Sequence, residues 1–538
     1  MPHPGDDVTF DAKPVGGAKQ TWKVDRETKR KMIIQNNARM RPLIDDGDTG
    51  LERGESRKAG ILAIEAYTPR HAVSMADMEK MHDVVGKYTV GLRMHEHGST
   101  GTDEDPVSFG LTVVDRLMRR FAVPYSEVGR LQVGSESLVD RSKSIKSNLM
   151  PIFEAHGCYD IEGVDTYHAC YGGTSALLSS LDWLQSCAWD GRYAMMVATD
   201  ISDAPAAYKF MSGAACVAIL MGPEAPVIFD PTRCSHMIDE WDFYKPAGWH
   251  EMEPIVDGPY SVKVYMNCLD HCIKGLQRKL KCDNLIEASD YMVFHLGSSV
   301  GFVRKAFKQM VKSCVGSMEE EEMEELWEQK TMPSLQAARR IGPMHTVATY
   351  VGLYSLFTHR GPSMKPNTKI NVFSYGSGSC SSMFRLYVKE APLLGGDLFA
   401  QLDERTVHTP EAFEAITASY SATWAKFGWR AVAATPQQSN TFYLTGNSIM
   451  GKRTYHFIGG AELTPYDFAG AQRSLPLPWD KTDVLREAGA EAWRADKDDV
   501  DQKVLDGSVD IDAIKREVKE ERQQMRAFKL QASPIKAF

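Results

Sequence analysis

The chain has no cysteine before Cys158 and none after Cys380, and the ten present are scattered between those positions. That spread does not suit a disulfide framework and fits a reducing compartment, so the expectation is a cytoplasmic protein. No apolar run approaches the roughly 20 residues that a membrane span needs, so no span is expected. The first residues have no apolar signal core, and Asp6, Asp7 and Asp11 argue against an organelle transit peptide. Basic excess is also lacking: 62 Lys and Arg face 71 Asp and Glu, a net charge of −9, which disfavours a nucleic-acid partner. No complete dinucleotide fingerprint, P-loop or G-x-S-x-G elbow occurs, and Tyr375-Gly-Ser-Gly378 is only a fragment of the elbow. No short repeat is visible.

What is present suits large buried cores. Of 538 residues, 43% are hydrophobic and 25% charged. Residues 1–58 read as a polar extension. From Gly60 to about residue 480, strand-like runs such as Ala194–Asp200, Ala215–Leu220, Tyr291–Phe294 and Ile370–Phe373 alternate with helix-like segments at Thr174–Cys187 and Val262–Lys281. The alternation predicts a layered α/β fold with buried strands. Glu319–Glu325 reads as a solvated helix or linker, and residues 481–538 as a charged helix and tail.

Four segments can carry chemistry. In Gly163–Leu178 a strand-like run leads through Ala169-Cys-Tyr-Gly-Gly-Thr174 into a helix. Cys170 would sit at that helix's N-terminus, where the dipole lowers a thiol pKa and free N–H groups could hold an oxyanion. Gly172 and Gly173 would keep bulk away from the sulfur. A buried, inert cysteine is an equal reading on these residues alone. Glu136, between two serines after Val128–Gly134, is placed at a strand end, where a surface turn is the bland alternative. His295 ends the run Tyr291–Phe294 as a base, a carbonyl donor or a core-edge histidine. Ser377 lies in a glycine-flanked turn that lets a ligand approach the backbone. Cys268 and Cys272 share a helix face without a second ligand pair, which favours core packing over zinc, so no metal is expected.

These segments, in this order, resemble the hydroxymethylglutaryl-CoA synthase family of the thiolase superfamily, eukaryotic type. The resemblance runs from about Gly60 to Phe457 and includes Gly86–Leu92, Val128–Ser137 with Asp140–Lys146, Ala169–Thr174, Trp189–Ala194, Asp242–Pro246, Pro254–Gly258, Phe373–Gly378, Leu402–Thr406 and Lys452–Tyr455. It implies a thiolase-like five-layer αβαβα fold of two related halves, 59–235 and 236–480, and a homodimer. It implies acetyl-CoA and acetoacetyl-CoA as substrates and no other cofactor. Cys170 would carry the acetyl group, Glu136 would act as base and then acid, and His295 would hold the acetoacetyl carbonyl. Tyr171, Gly172, Asp200, Asp242, Arg304, Lys305 and Ser377 would line the substrate site.

The chain departs from the family pattern in several places. Where the family has Gly-Asn-x-Tyr-Thr, this chain reads Gly342-Pro-Met-His-Thr346, so a side-chain amide is missing and His345 is a candidate replacement. Leu296-Gly297 follows the histidine, Tyr167-His168 precedes the nucleophile segment, one CoA-binding lysine is lost, and 203–211 lacks the family's Gly-Asn-rich character. The alternatives are therefore a diverged condensing enzyme acting on another acyl thioester, such as a carrier-protein-bound one, and a catalytically weak homologue kept for assembly.

Overall fold

A computed structural model describes residues 59–202, 211–246, 254–424 and 426–463. The expected extension 1–58, the tail 481–538 and nearly all of the divergent 203–211 segment lie outside the described residues.

The core is one mixed sheet. Its strands are β1 (Ala59–Tyr67), β2 (Val128–Gly134), β3 (Asp165–Thr166), β4 (Tyr193–Ser202), β5 (Gly213–Pro223), β6 (Val227–Met237), β7 (Tyr291–Phe294), β8 (Thr368–Gly376) and β9 (Cys380–Val388). They lie in the order β7-β8-β9-β6-β1-β5-β4-β2-β3, with Leu393–Leu394 beside β1 as a tenth short strand.

A duplication that the sequence does not display is plain in this order. From the centre outward, one half runs β1-β5-β4-β2 with antiparallel, antiparallel and parallel pairings. The other runs β6-β9-β8-β7 with the same three pairings. The halves join edge to edge through antiparallel β1 and β6, at Gly60↔Ile228 and Ile61↔Val227.

Among the helices of the described residues are α1 (Pro106–Arg120), α2 (Gly172–Gln185), α3 (Gly258–Leu280), α4 (Val300–Cys314), α5 (Glu320–Lys330) and α6 (Ala348–Arg360). In β4, Met195 and Val197 pack with α1, whereas Met196 and Ala198 face the core that contains α2. In β8, Phe373 and Tyr375 meet Tyr265 of α3 edge to face. Ser374 on the opposite face bonds Thr174 of α2, which also meets Tyr350 of α6. Helices α2 and α6 are thus the filling between two sheet halves, with α1 and α3 outside, giving five layers. Strands covered on both faces must be apolar throughout, which is why they read as continuous hydrophobic runs.

Local signals set the helix boundaries. Asp105 caps α1 in a reciprocal box with Ser108, and Arg453 and Tyr455 both bind its other carboxylate oxygen, at 2.8 and 2.9 Å. Asp257 caps α3, which therefore begins four residues before the expected Val262. Cys268 and Cys272 are fully buried on α3, bonded to Ser379 and Ser381. The acidic run is not a linker. Met323 and Trp327 bury α5, while Glu320 and Glu324 pair with Arg304, Lys308 and Arg93.

Candidate active site

Glu136, His295 and Ser377 each follow the carboxyl end of a strand (β2, β7 and β8), and Cys170 precedes α2 in the middle layer. Strand ends of a parallel α/β arrangement open onto a crevice, where ligands bind in such folds.

Cys170, Glu136 and a histidine do meet there, and the histidine in contact is His345. Its Nδ1 lies 3.6 Å from Cys170 Sγ, and its Nε2 lies 3.3 Å from Glu136 Oε1. The three ligand-type atoms fall within 4.8 Å of one another. Lys245 adds a cation, its Nζ 2.9 Å from Glu136 Oε1. His295 is deeper, and its ring is close enough to feel the charges of both His345 and Glu136. Its backbone is fixed by the N–H to Phe373 O and by Tyr265 Oη donating to its carbonyl, both bonds near the sheet edge. Among the described residues, the buried site atoms Glu136 Oε2, His168 Nε2 and His295 Nδ1 have no hydrogen-bond partner. Such atoms are costly to leave unmatched, so they point to a ligand that matches them.

The site's electrostatics follow from burial and from the charges of Lys245, His345 and the carboxylates. Burial pushes the Glu136 carboxyl up, but His345 and Lys245 beside it more than offset that and hold it at about 2. Burial likewise opposes the Lys245 charge, and Glu136 outweighs it, leaving the ammonium above its usual range. His295 is lowered by burial to about 3, so it is a neutral imidazole that can donate to or accept from a carbonyl. Cys170 does not follow the expectation of a dipole-lowered thiol. Burial first, then the Glu136 and Asp200 carboxylates, drive its pKa well up. The dipole of one helix is a weaker influence than a buried carboxylate in van der Waals range.

Other expectations are also corrected. Gly172 and Gly173 do not clear room for substrate. A Cβ on Gly172 would sit 2.8 Å from Thr166 O, and one on Gly173 would sit 2.9 Å from Thr346 O, so their smallness serves packing within the protein. The Tyr171 and Gly172 N–H groups already donate to the His168 and Ala169 carbonyls and hold no oxyanion. The Tyr171 phenol is spent on Ser382, 2.6 Å away. Asp200 braces the site from within the protein. Its Oδ1 accepts from Ser135 Oγ and the N–H groups of Glu136 and Ser137, and its Oδ2 accepts from the Thr346 N–H and hydroxyl. Asp242 similarly accepts from Gly378 N and Tyr375 Oη, fixing the turn that holds Ser377. Arg304 is engaged with Glu320 and Glu324, while its neighbour Lys305 is exposed. Ser377 stays at the site: its backbone bonds the His168 ring, next to the nucleophile.

Lys245 was legible in principle, since it belongs to the Asp242–Pro246 segment, but nothing in the sequence says which of five residues turns inward. Pro343 is buried, wedged with Gly342 against Ser212 and Gly213, where an amide would have stood.

A half-buried cysteine, a carboxylate and an imidazole at the strand ends of a duplicated five-layer fold define a thiolase-like acyl-transferring enzyme. Comparison with known proteins gives the family. The chain matches the model for the N-terminal part of hydroxymethylglutaryl-coenzyme A synthase over residues 55–226, and that for the C-terminal part over 227–321 and 315–457. The cytoplasmic hydroxymethylglutaryl-CoA synthase of Rattus norvegicus is 36% identical over 411 residues, 66% of this chain and 79% of the relative. The mitochondrial synthase of Homo sapiens is 35% identical over 415 residues, 67% and 81% of the two chains. Among solved structures, MvaS in complex with 3-hydroxy-3-methylglutaryl coenzyme A is 25% identical with a TM-score of 0.65, covering 75% of this chain and 100% of MvaS. The HMG synthase of the curacin pathway, at 21% identity and a TM-score of 0.66 over the same shares, has the same fold. The protein belongs to the hydroxymethylglutaryl-CoA synthase family and is an acyl-condensing transferase.

Proposed function

We propose that the protein condenses acetyl-CoA with acetoacetyl-CoA to hydroxymethylglutaryl-CoA through an acetyl-Cys170 intermediate, supplying isoprenoid synthesis. What supports this is the contact among Cys170, Glu136 and His345, with His295 near enough to sense Glu136, within a chain of this family. Cys170 Sγ attacks the acetyl-CoA carbonyl and CoA leaves as its thiol. Glu136 takes a methyl proton from the acetyl thioester, and the resulting enolate carbon attacks the ketone of acetoacetyl-CoA. The new alkoxide regains a proton from Glu136, and water then releases the product from Cys170. Neutral His295 donates a hydrogen bond to the acetoacetyl thioester carbonyl. Lys305 is the remaining cation for the CoA phosphates.

A second reading keeps the chemistry and changes the acceptor to another acyl thioester. It is favoured by Pro343, which removes an amide from the acyl pocket. Purified protein given both CoA thioesters should consume acetoacetyl-CoA and release one free thiol per turnover. Acetylation of Cys170 without consumption of acetoacetyl-CoA refutes the first reading in favour of the second. Cys170→Ala should take no label from acetyl-CoA, and persistent labelling sinks the nucleophile assignment. We place the protein in the cytoplasm as a homodimer. Ten free cysteines and cytoplasmic relatives support the compartment. Cell fractionation and light scattering test the two statements, with a mitochondrial pool or a monomer as the refuting result.

A further inference from the structure

We infer that His345 is the base that takes the Cys170 proton, so that this chain activates its nucleophile by a Cys170–His345–Glu136 relay. The inference deepens the proposed reading and rests on it for the acyl donor alone.

The geometry is directional. Cys170 Sγ is 3.6 Å from Nδ1, and Glu136 Oε1 is 3.3 Å from Nε2, so both ring nitrogens are committed; the thiol also meets the Glu136 carboxylate directly, but a carboxylate held at about 2 is far too weak a base to take its proton. Glu136 is a carboxylate and can only accept, so Nε2 carries the proton and Nδ1 presents a lone pair to the thiol. A carboxylate–imidazole–nucleophile series of this kind holds the tautomer and orients the ring. The imidazole is also placed at a cost: His345 has φ 44°, a left-handed backbone, between the wedged Gly342-Pro343 and Thr346, whose N–H is tied to Asp200. Residues held in such conformations cluster where function fixes them. The groups facing the ring are Cys170, Glu136, Asp200, Lys245 and His295, with the edge of Phe243 6.3 Å away between centroids. Burial lowers the His345 pKa, so the ring is neutral and ready to accept near pH 7.

The thiol of Cys170 is pushed high, so a preformed thiolate is scarce and proton removal must accompany attack. As Sγ bonds to the thioester carbon, its proton moves to Nδ1. As the carbon–sulfur bond to CoA breaks, the departing thiolate takes that proton back from the imidazolium. No atom or electron is left over, and Glu136 stays a carboxylate, ready for the methyl proton in the next step. A tyrosine at position 345, the residue of the family pattern, is protonated near neutral pH and supplies no such base.

The test is the rate of Cys170 alkylation by iodoacetamide in the full-length protein, followed by peptide mass spectrometry from about pH 7 to 9. Wild type should give a nearly flat profile. His345→Asn, which tolerates the left-handed backbone, should be roughly 100-fold slower near neutral pH, general-base catalysis typically giving 10²–10⁴. Its rate should climb about tenfold per pH unit toward wild type as the thiol itself ionises. A structural role would instead slow alkylation equally at every pH, which overturns the inference, as does an unchanged rate. If His345→Asn does not fold, the wild-type profile decides: a tenfold rise per unit overturns the relay and a flat profile supports it. Zinc found at one per chain by elemental analysis also overturns it, because the same three atoms would then be metal ligands. A flat wild-type profile in a protein that takes no acetyl group from acetyl-CoA keeps the relay and refutes the donor, so the two failures are distinct.

Discussion

Replacing Lys245 by Met tests the charge balance of the site directly. Its ammonium is 2.9 Å from Glu136 Oε1, and the two side chains are 17% and 6% exposed. Methionine keeps much of the stem and removes the charge, leaving a buried carboxylate. In the native fold Glu136 is held at about 2 against an ordinary 4.5. At about 1.4 kcal/mol per unit, that difference stabilises the fold by up to about 3 kcal/mol. The largest single part of that depression comes from the charge His345 would carry when protonated, and burial keeps His345 neutral near pH 7, so Lys245 accounts for only part of the figure there. Breaking one side of a buried ion pair typically costs about 3–5 kcal/mol, the same size. The folded-state value is depressed, so the stabilisation is complete above the unfolded value of 4.5 and drains away as pH falls toward about 2. Lys245→Met should therefore melt well below wild type at neutral pH, with the difference shrinking to about 1 kcal/mol near pH 3. Thermal melts followed by far-ultraviolet circular dichroism at a series of pH values read this. A difference that stays constant down to pH 3 refutes the electrostatic account and assigns Lys245 a packing role.

Three further outcomes follow from the geometry. Gly134→Ala would place a Cβ 2.4 Å from Gly173 Cα and N, backbone that cannot step aside, so it should cost several kcal/mol; a melting temperature within a degree or two of wild type would show that β2 and α2 separate freely. Asp200→Asn turns acceptors toward donors at a group that takes five hydrogen bonds. It should cost about 2–4 kcal/mol and lower condensation more than 10-fold by loosening both Glu136 and Thr346; unchanged turnover shows that neither needs the brace. His295→Ala should raise the KM for acetoacetyl-CoA while Cys170 still acetylates at close to the wild-type rate; lost acetylation would move His295 to the first step.

The sequence alone determined a good deal here. Continuous apolar runs announce strands buried on both faces, and Cys170, Glu136 and His295 stand out because each breaks the pattern of its segment at a strand or helix end. The ordered motifs carry the family because they record which residues sit at those ends. The tertiary structure decided what lies across the cleft. Strand order in the two halves exposes a duplication that side-chain divergence hides, since pairing geometry tolerates many sequences. His345 meets Cys170 from 175 positions away, and Lys245 reaches Glu136 from 109. No local rule foretells such contacts, because they depend on how two halves are pressed around a pair of central helices. The same packing reverses readings that were locally sound. The thiol is raised because burial and carboxylates act through the fold, and the glycines beside it serve backbone contact because layers close on them from three sides.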